Sequence, residues 1–194
     1  GSIAYNHVGY DDGDLGAGIT RGATGALPNN AASRFDGSAT ASIANRTLTP
    51  GTDTFTAEAW FQTTTTTGGK ILGFGNQRTG NSSSHDRSIY MDNAGRIWFG
   101  AYPGRTVTVN SAKSYNDGEW HHVTATMSSA GMALYVDGVR SAFRADNTQG
   151  QKYDGYWRIG GDNIGGWPGQ PATGSFTGNI DEVAVYPTAL TAQR

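Results

Sequence analysis

Trp167 stands near the tip of the segment Gly161-Asp162-Asn163-Ile164-Gly165-Gly166-Trp167-Pro168, with glycines on both sides and no alternating partner for the indole. An exposed indole can stack on the apolar C–H face of a pyranose ring, and Asp162 and Asn163 beside it can hydrogen-bond to hydroxyls. A second segment, Ala101-Tyr102-Pro103-Gly104-Arg105, follows Trp98 and offers the same combination of aromatic and polar groups. Trp98, Tyr102, Arg105, Asp162, Asn163 and Trp167 are therefore the candidate ligand contacts. A competing reading folds Trp167-Pro168 back over a sheet as a plug.

The carboxylates point to other chemistry. Asp36 ends an apolar run at Gly37, and Asp181 follows Ile180 in phase with Val183 and Val185. A carboxylate in an apolar phase must be paired, hydrogen-bonded or metal-bound. Calcium collects about six to eight oxygens from carboxylates and irregular backbone. Asp36 and Asp181 are thus candidate ligands of a structural Ca2+. The alternative is that Asp36 caps a turn while Asp181 pairs with an arginine or with backbone amides. Asp11-Asp12-Gly13-Asp14 lacks the spacing and distal glutamate of a calcium loop and reads as a solvated turn.

Catalysis has little support. His121 and His122 are adjacent on a strand-like run and point to opposite faces. Ser84, His85 and Asp86 are loop neighbours and cannot form a triad among themselves. Glu58 and Glu182 each lie on an outward phase and read as structural. The chain is expected not to be an enzyme.

Strands must position these groups. No helical period is sustained, and 29 glycines punctuate the chain. Residues 1–32 read as irregular, with a short strand near Ile3 to His7. Strand-like runs follow at Ser33–Phe35, Ala41–Ile43, Phe55–Gln62, Lys70–Gly75, Ser88–Asp92, Arg96–Ala101 and Arg105–Asn110. Further runs span His121–Met127, Met132–Val136, Val139–Phe143, Tyr156–Ile159 and Gly174–Tyr186. So many short strands between turns predict an all-β sandwich or barrel. In Phe55–Gln62, alternation puts Phe55, Ala57, Ala59 and Phe61 on one face and Glu58, Trp60 and Gln62 on the other. Trp60, Tyr90, Trp98, Tyr135 and Trp157 fall off the aliphatic phase. They are either covered by loops or available to a ligand.

The 194 residues fit one all-β domain with a sizeable core. Net charge is −2, from 14 basic and 16 acidic residues without a basic stripe, so neither nucleic acid nor anionic membrane is an expected partner. No apolar run reaches the ~18 residues of a membrane span. With no cysteine, the compartment cannot be read from disulfides. Gly1-Ser2 reads as a cloning remnant, and the chain as a domain cut from a larger protein.

Between Asp117 and Gly138 the chain reads DGEWHHVTATMSSAGMALYVDG, two alternating runs joined at Ser128-Ser129-Ala130-Gly131, a β-hairpin. This segment resembles the "DGxWHHV…LYVDG" of laminin G-like, concanavalin A-like jelly-roll domains of bacterial secreted proteins. Ala32 to Gly37, Phe55 to Phe61, Gly155 to Gly161 and Phe176 to Pro187 resemble further motifs of that family. The resemblance implies an antiparallel two-sheet sandwich, often calcium-binding, in which Asp36 and Asp181 lie close enough to share an ion. It also implies a non-catalytic, lectin-like accessory module of an extracellular protein. Its partners would be a polysaccharide or glycan and other domains of a parent protein. The alternative is a structural or adhesive spacer with no sugar site. An exposed, coplanar pair among Trp98, Tyr102, Trp157 and Trp167 would favour the lectin.

Overall fold

The computed structural model describes residues 2–9 and 11–191, and these contain strands and no helix. The first strands are β1 (Ile3–Ala4), β2 (Gly13–Leu15), β3 (Ile19–Thr24), β4 (Ala31–Asp36), β5 (Ile43–Asn45) and β6 (Thr49–Pro50). Next come β7 (Phe55–Gln62), β8 (Gly69–Gly75), β9 (His85–Met91), β10 (Arg96–Ala101) and β11 (Val107–Ser114). The last are β12 (Trp120–Ser128), β13 (Gly131–Val136), β14 (Val139–Arg144), β15 (Asp154–Ile159) and β16 (Thr177–Tyr186). They form two antiparallel sheets packed face to face. One, of nine strands, runs β1-β2-β5-β15-β8-β9-β10-β11 with β6 also on β15; the other, of seven, runs β14-β13-β12-β7-β16-β4-β3.

The core lies between the sheets and follows the alternation read from sequence. Phe55, Ala57, Ala59 and Phe61 point inward from β7, and Ile97 and Phe99 point inward from β10, all fully buried. Phe55 meets Phe99 across the gap edge-on, centroids 6.1 Å apart. Each of the phenylalanines, and Ile97, contributes about 1.5–3 kcal/mol by leaving water. The β12–β13 hairpin turns where expected, with Ser128 paired to Gly131. Its neighbour, β13–β14, turns through Asp137 and Gly138, both at positive φ, as a tight two-residue loop requires.

Three expectations need correction. The N-terminal region is not irregular: β2 pairs with β5 and β3 with β4, extending both sheets, although glycines obscure the period. Trp157 is not an outer aromatic. It packs into the core against Phe55 and Phe74, and it is Arg158 that turns outward from β15. Asp181 is not in the core phase either. Ile180 pairs with Phe61 on the inner face, so Asp181, paired with Trp60, points out. A bulge between Asp181 and Ala184, with Glu182 at φ 45°, then restores Val183 to the core side.

Candidate functional site

The outer face of the nine-stranded sheet gathers most of the sequence-predicted ligand contacts, and packs them away. The segment between β15 and β16 returns over this face as a lid. Trp167 is only 5% exposed. It lies over Gly100, where any Cβ would collide with the indole, and its ring packs on His85 at 5.5 Å and edge-on to Tyr90 at 6.2 Å. The Tyr90 hydroxyl donates to the Pro168 carbonyl and pins the tip. Trp98 stacks on buried Tyr90, centroids 6.1 Å apart, and its Nε1 donates to Asp92 Oδ2 at 2.9 Å. Tyr102 is half-buried against the same cluster, and its backbone N–H donates to Asp86 Oδ1 at 2.8 Å. Arg105 stays exposed beyond this group.

Asp162 is buried rather than offered to a ligand. Its Oδ1 accepts the N–H groups of Ser82, at 2.8 Å, and Asn163, at 2.7 Å. Its Oδ2 lies 3.7 Å from Lys70 Nζ, an ion pair too long for a hydrogen bond, and Arg158 Nη1 is 3.9 Å from Oδ1. Burial pulls the Lys70 ammonium down to about 8 against the opposing charge of Asp162. Burial, helped by the Lys70 charge, pulls the neighbouring His85 imidazole down to about 4. Asn163 spends its amide locally, donating to the Ser82 carbonyl and accepting from Gly165 N–H. The plug reading describes Trp167-Pro168; the exposed indole does not.

The metal candidates are separated by register. Asp36 pairs with Thr177, whereas Asp181 lies four residues further along β16, about 13 Å at strand rise. Asp181 Oδ2 accepts from Ala26 N–H at 3.0 Å and Asn30 Nδ2 at 3.1 Å, and its Oδ1 accepts from Glu182 N–H. Asp36 Oδ1 accepts the Ser38 N–H, capping the turn at Gly37. Carboxylates facing N–H donors, this far apart, do not fit a shared calcium ion, which needs converging oxygens. No group of three or more acidic or histidine side chains among the described residues is placed to hold a metal.

The histidines serve the hairpin. His121 lies between Asp137 Oδ2, at 2.9 Å from Nδ1, and Asp117 Oδ1, at 3.0 Å from Nε2. Burial pulls its imidazole down, but the two hydrogen bonds and the two carboxylate charges together outweigh that and raise it. His122 points to the opposite face, its ring 5.1 Å from that of Trp60 and its Nε2 3.5 Å from Glu58 Oε2. Glu58 Oε1 accepts the Tyr186 hydroxyl at 2.8 Å.

That opposite face, the outside of the seven-stranded sheet, holds a site that the sequence did not single out. Trp120, Gln62, Asn179, Arg34 and Thr20 stand side by side in one cross-strand row, each the register partner of the next. Asn179 Nδ2 donates to Gln62 Oε1 at 2.9 Å, and Gln62 Nε2 donates to the Gly118 carbonyl at 2.9 Å. Over this row opens a shallow cleft of about 280 Å³, lined by Arg34, Gln62, Asn179 and the threonines 63–65 and 177. Among the described residues that line it, Arg34 alone is charged. The outward phase of Glu58, Trp60 and Gln62 was visible in the sequence. The juxtaposition with Arg34 and Asn179, up to 145 residues apart, comes only from pairing order.

Comparison with known proteins agrees with this architecture. The family description "Concanavalin A-like lectin/glucanases superfamily" matches residues 35–194, and the chain belongs to that superfamily. No curated protein sequence matches it. Among solved structures, domain 4 of AbnA, an extracellular GH43 arabinanase from Geobacillus stearothermophilus, in complex with arabinotriose, superposes with a TM-score of 0.62. The identity is 16%, over 98% of this chain and 84% of that one. The CBM40 of the Ruminococcus gnavus IT-sialidase, bound to α2,3-sialyllactose, gives 0.56 at 17% identity over 71% of this chain and 77% of that one. Trypanosoma rangeli sialidase in complex with sialic acid gives 0.67 at 19% identity, over 100% of this chain but 30% of the sialidase. At these identities the likeness is one of fold.

Proposed function

We propose that this chain is a non-catalytic carbohydrate-binding module of an extracellular protein, holding its sugar at the open end of the seven-stranded sheet. One observation carries the reading: a cleft lined by amide, hydroxyl and guanidinium groups opens at Gln62, whose register partner on β12 is the half-buried Trp120. Those are the groups a hydroxyl-rich, apolar-faced ring needs. Glycoside hydrolysis needs two carboxyl groups about 5–10 Å apart across one cleft. Neither this cleft nor the one beside Leu15 and Ile19 is lined by an aspartate or glutamate. Neighbours of the same fold solved with arabinotriose or sialyllactose lend support to a sugar ligand.

A shallow site of this kind binds in the micromolar to millimolar range, about 4–8 kcal/mol. The test is retention on a panel of soluble and insoluble polysaccharides. Binding to one glycan class that weakens about tenfold or more in Trp120→Ala and Gln62→Ala, but not in Arg105→Ala, supports the reading. Binding to none of them contradicts it. A second reading, a spacer held against other domains of a parent protein, draws on one specific observation. The four aromatics that the sequence offered for an exposed stacking pair, Trp98, Tyr102, Trp157 and Trp167, are instead packed under the lid or in the core.

A further inference from the structure

We infer that the saccharide taken by this cleft is acidic and that Arg34 anchors its carboxylate; the inference rests on the sugar-binding reading above. Arg34 is exposed, lines the cleft and makes no ion pair with any carboxylate among the described residues. The nearest acid on its own strand and face is Asp36, two residues on, whose Oδ1 is turned into its own Ser38 turn at 2.8 Å. Across the row, Asp181 is engaged by the Ala26–Asn30 loop. Asp117, beyond the other end, is engaged by His121 and by Glu119 N–H. The guanidinium therefore stands in the cleft with none of these carboxylates paired to it.

A neutral sugar would need only the amides and hydroxyls that already line the site. A planar fork of N–H donors matches a carboxylate two bonds at a time, and charge-assisted bonds are the stronger kind. The row also fixes a length. Arg34 lies three strand spacings from Trp120, about 14 Å, with Asn179 and Gln62 between them. A ring over Trp120 and a carboxylate at Arg34 thus belong to one oligosaccharide of several residues, such as a uronate chain or a sialylated glycan.

The experiment is calorimetric titration of the full chain with acidic saccharides and their neutral counterparts. Polygalacturonate oligomers are paired with their methyl esters, and sialyllactose with lactose, the two pairs separating uronate from sialate. In one pair the acidic form should bind about tenfold tighter. Arg34→Gln should abolish that preference with an unchanged melting temperature, and Arg34→Lys should keep part of it. Raising salt should weaken the acidic form selectively. Equal affinity for acidic and neutral forms, with binding still lost in Gln62→Ala, overturns the inference and leaves the sugar-binding reading standing. Absence of binding by every acidic and neutral glycan overturns both.

Discussion

At the scale of single residues, two histidines give the fold opposite responses to pH. His85, half-buried against Trp167 and near the Lys70–Asp162 pair, is pushed down to about 4, so the native state stays neutral where an unfolded imidazole, at about 6.5, is protonated. Between those values the unfolded state binds more protons, and stability rises with pH. His121 works the other way. It faces Asp117, Asp137, Tyr115 and Phe61, and its net upward shift means the native state holds the proton more tightly. That contribution is complete below about 6.5 and is lost as pH rises through the folded value. Urea denaturation across pH 4–8 should show His85→Gln flattening the acid limb and His121→Gln the neutral-to-alkaline limb. Unchanged limbs in both variants would contradict the burial of the first and the paired carboxylates of the second.

At the scale of elements, the lid between β15 and β16 decides which outer face is open. Its tip is seated by Trp167 among His85, Tyr90 and Gly100, so Trp167→Ala should cost about 3–5 kcal/mol, read as a lowered denaturation midpoint. If the lid plays no part in recognition, the same variant at a temperature where it stays folded should bind glycan as the parent does. Alternation was legible in the sequence: β7, β10, β12 and β13 place their inward side chains as the two-residue period requires. The destination of each outer face was not. Tyr90, Trp98, Trp60 and Tyr135 all read as outward, yet the first two lie under a lid contributed by residues some 70 positions later. Alternation also failed at β16, where a bulge at Glu182 breaks the period. There the Asp181 carboxylate points outward into N–H donors instead of inward beside Asp36.

At the scale of the molecule, the fold is a set of long-range pairings, and its two sheets share the N-terminal strands. β2 covers the edge of β5 and β3 that of β4, so deleting residues 1–24 would bare one edge in each sheet. The shortened chain should melt lower and self-associate by size-exclusion chromatography, as open edges do. A monomer of unchanged stability would show those strands to be dispensable. The jelly-roll class was readable because ordered motifs run along most of the chain. The candidate site was not, since Arg34, Gln62, Trp120 and Asn179 become neighbours only when β4, β16, β7 and β12 are paired. The sugar's seat on the seven-stranded sheet is tested most directly by an amide chemical-shift map of the chain titrated with whichever glycan it retains. A sugar bound in the cleft should give the largest shifts at Arg34, Gln62, Gly118, Trp120 and Asn179, with Trp98, Asn163 and Trp167 unmoved. Shifts concentrated on Trp98, Tyr102, Asn163 and Trp167 would place the sugar under the lid and contradict it.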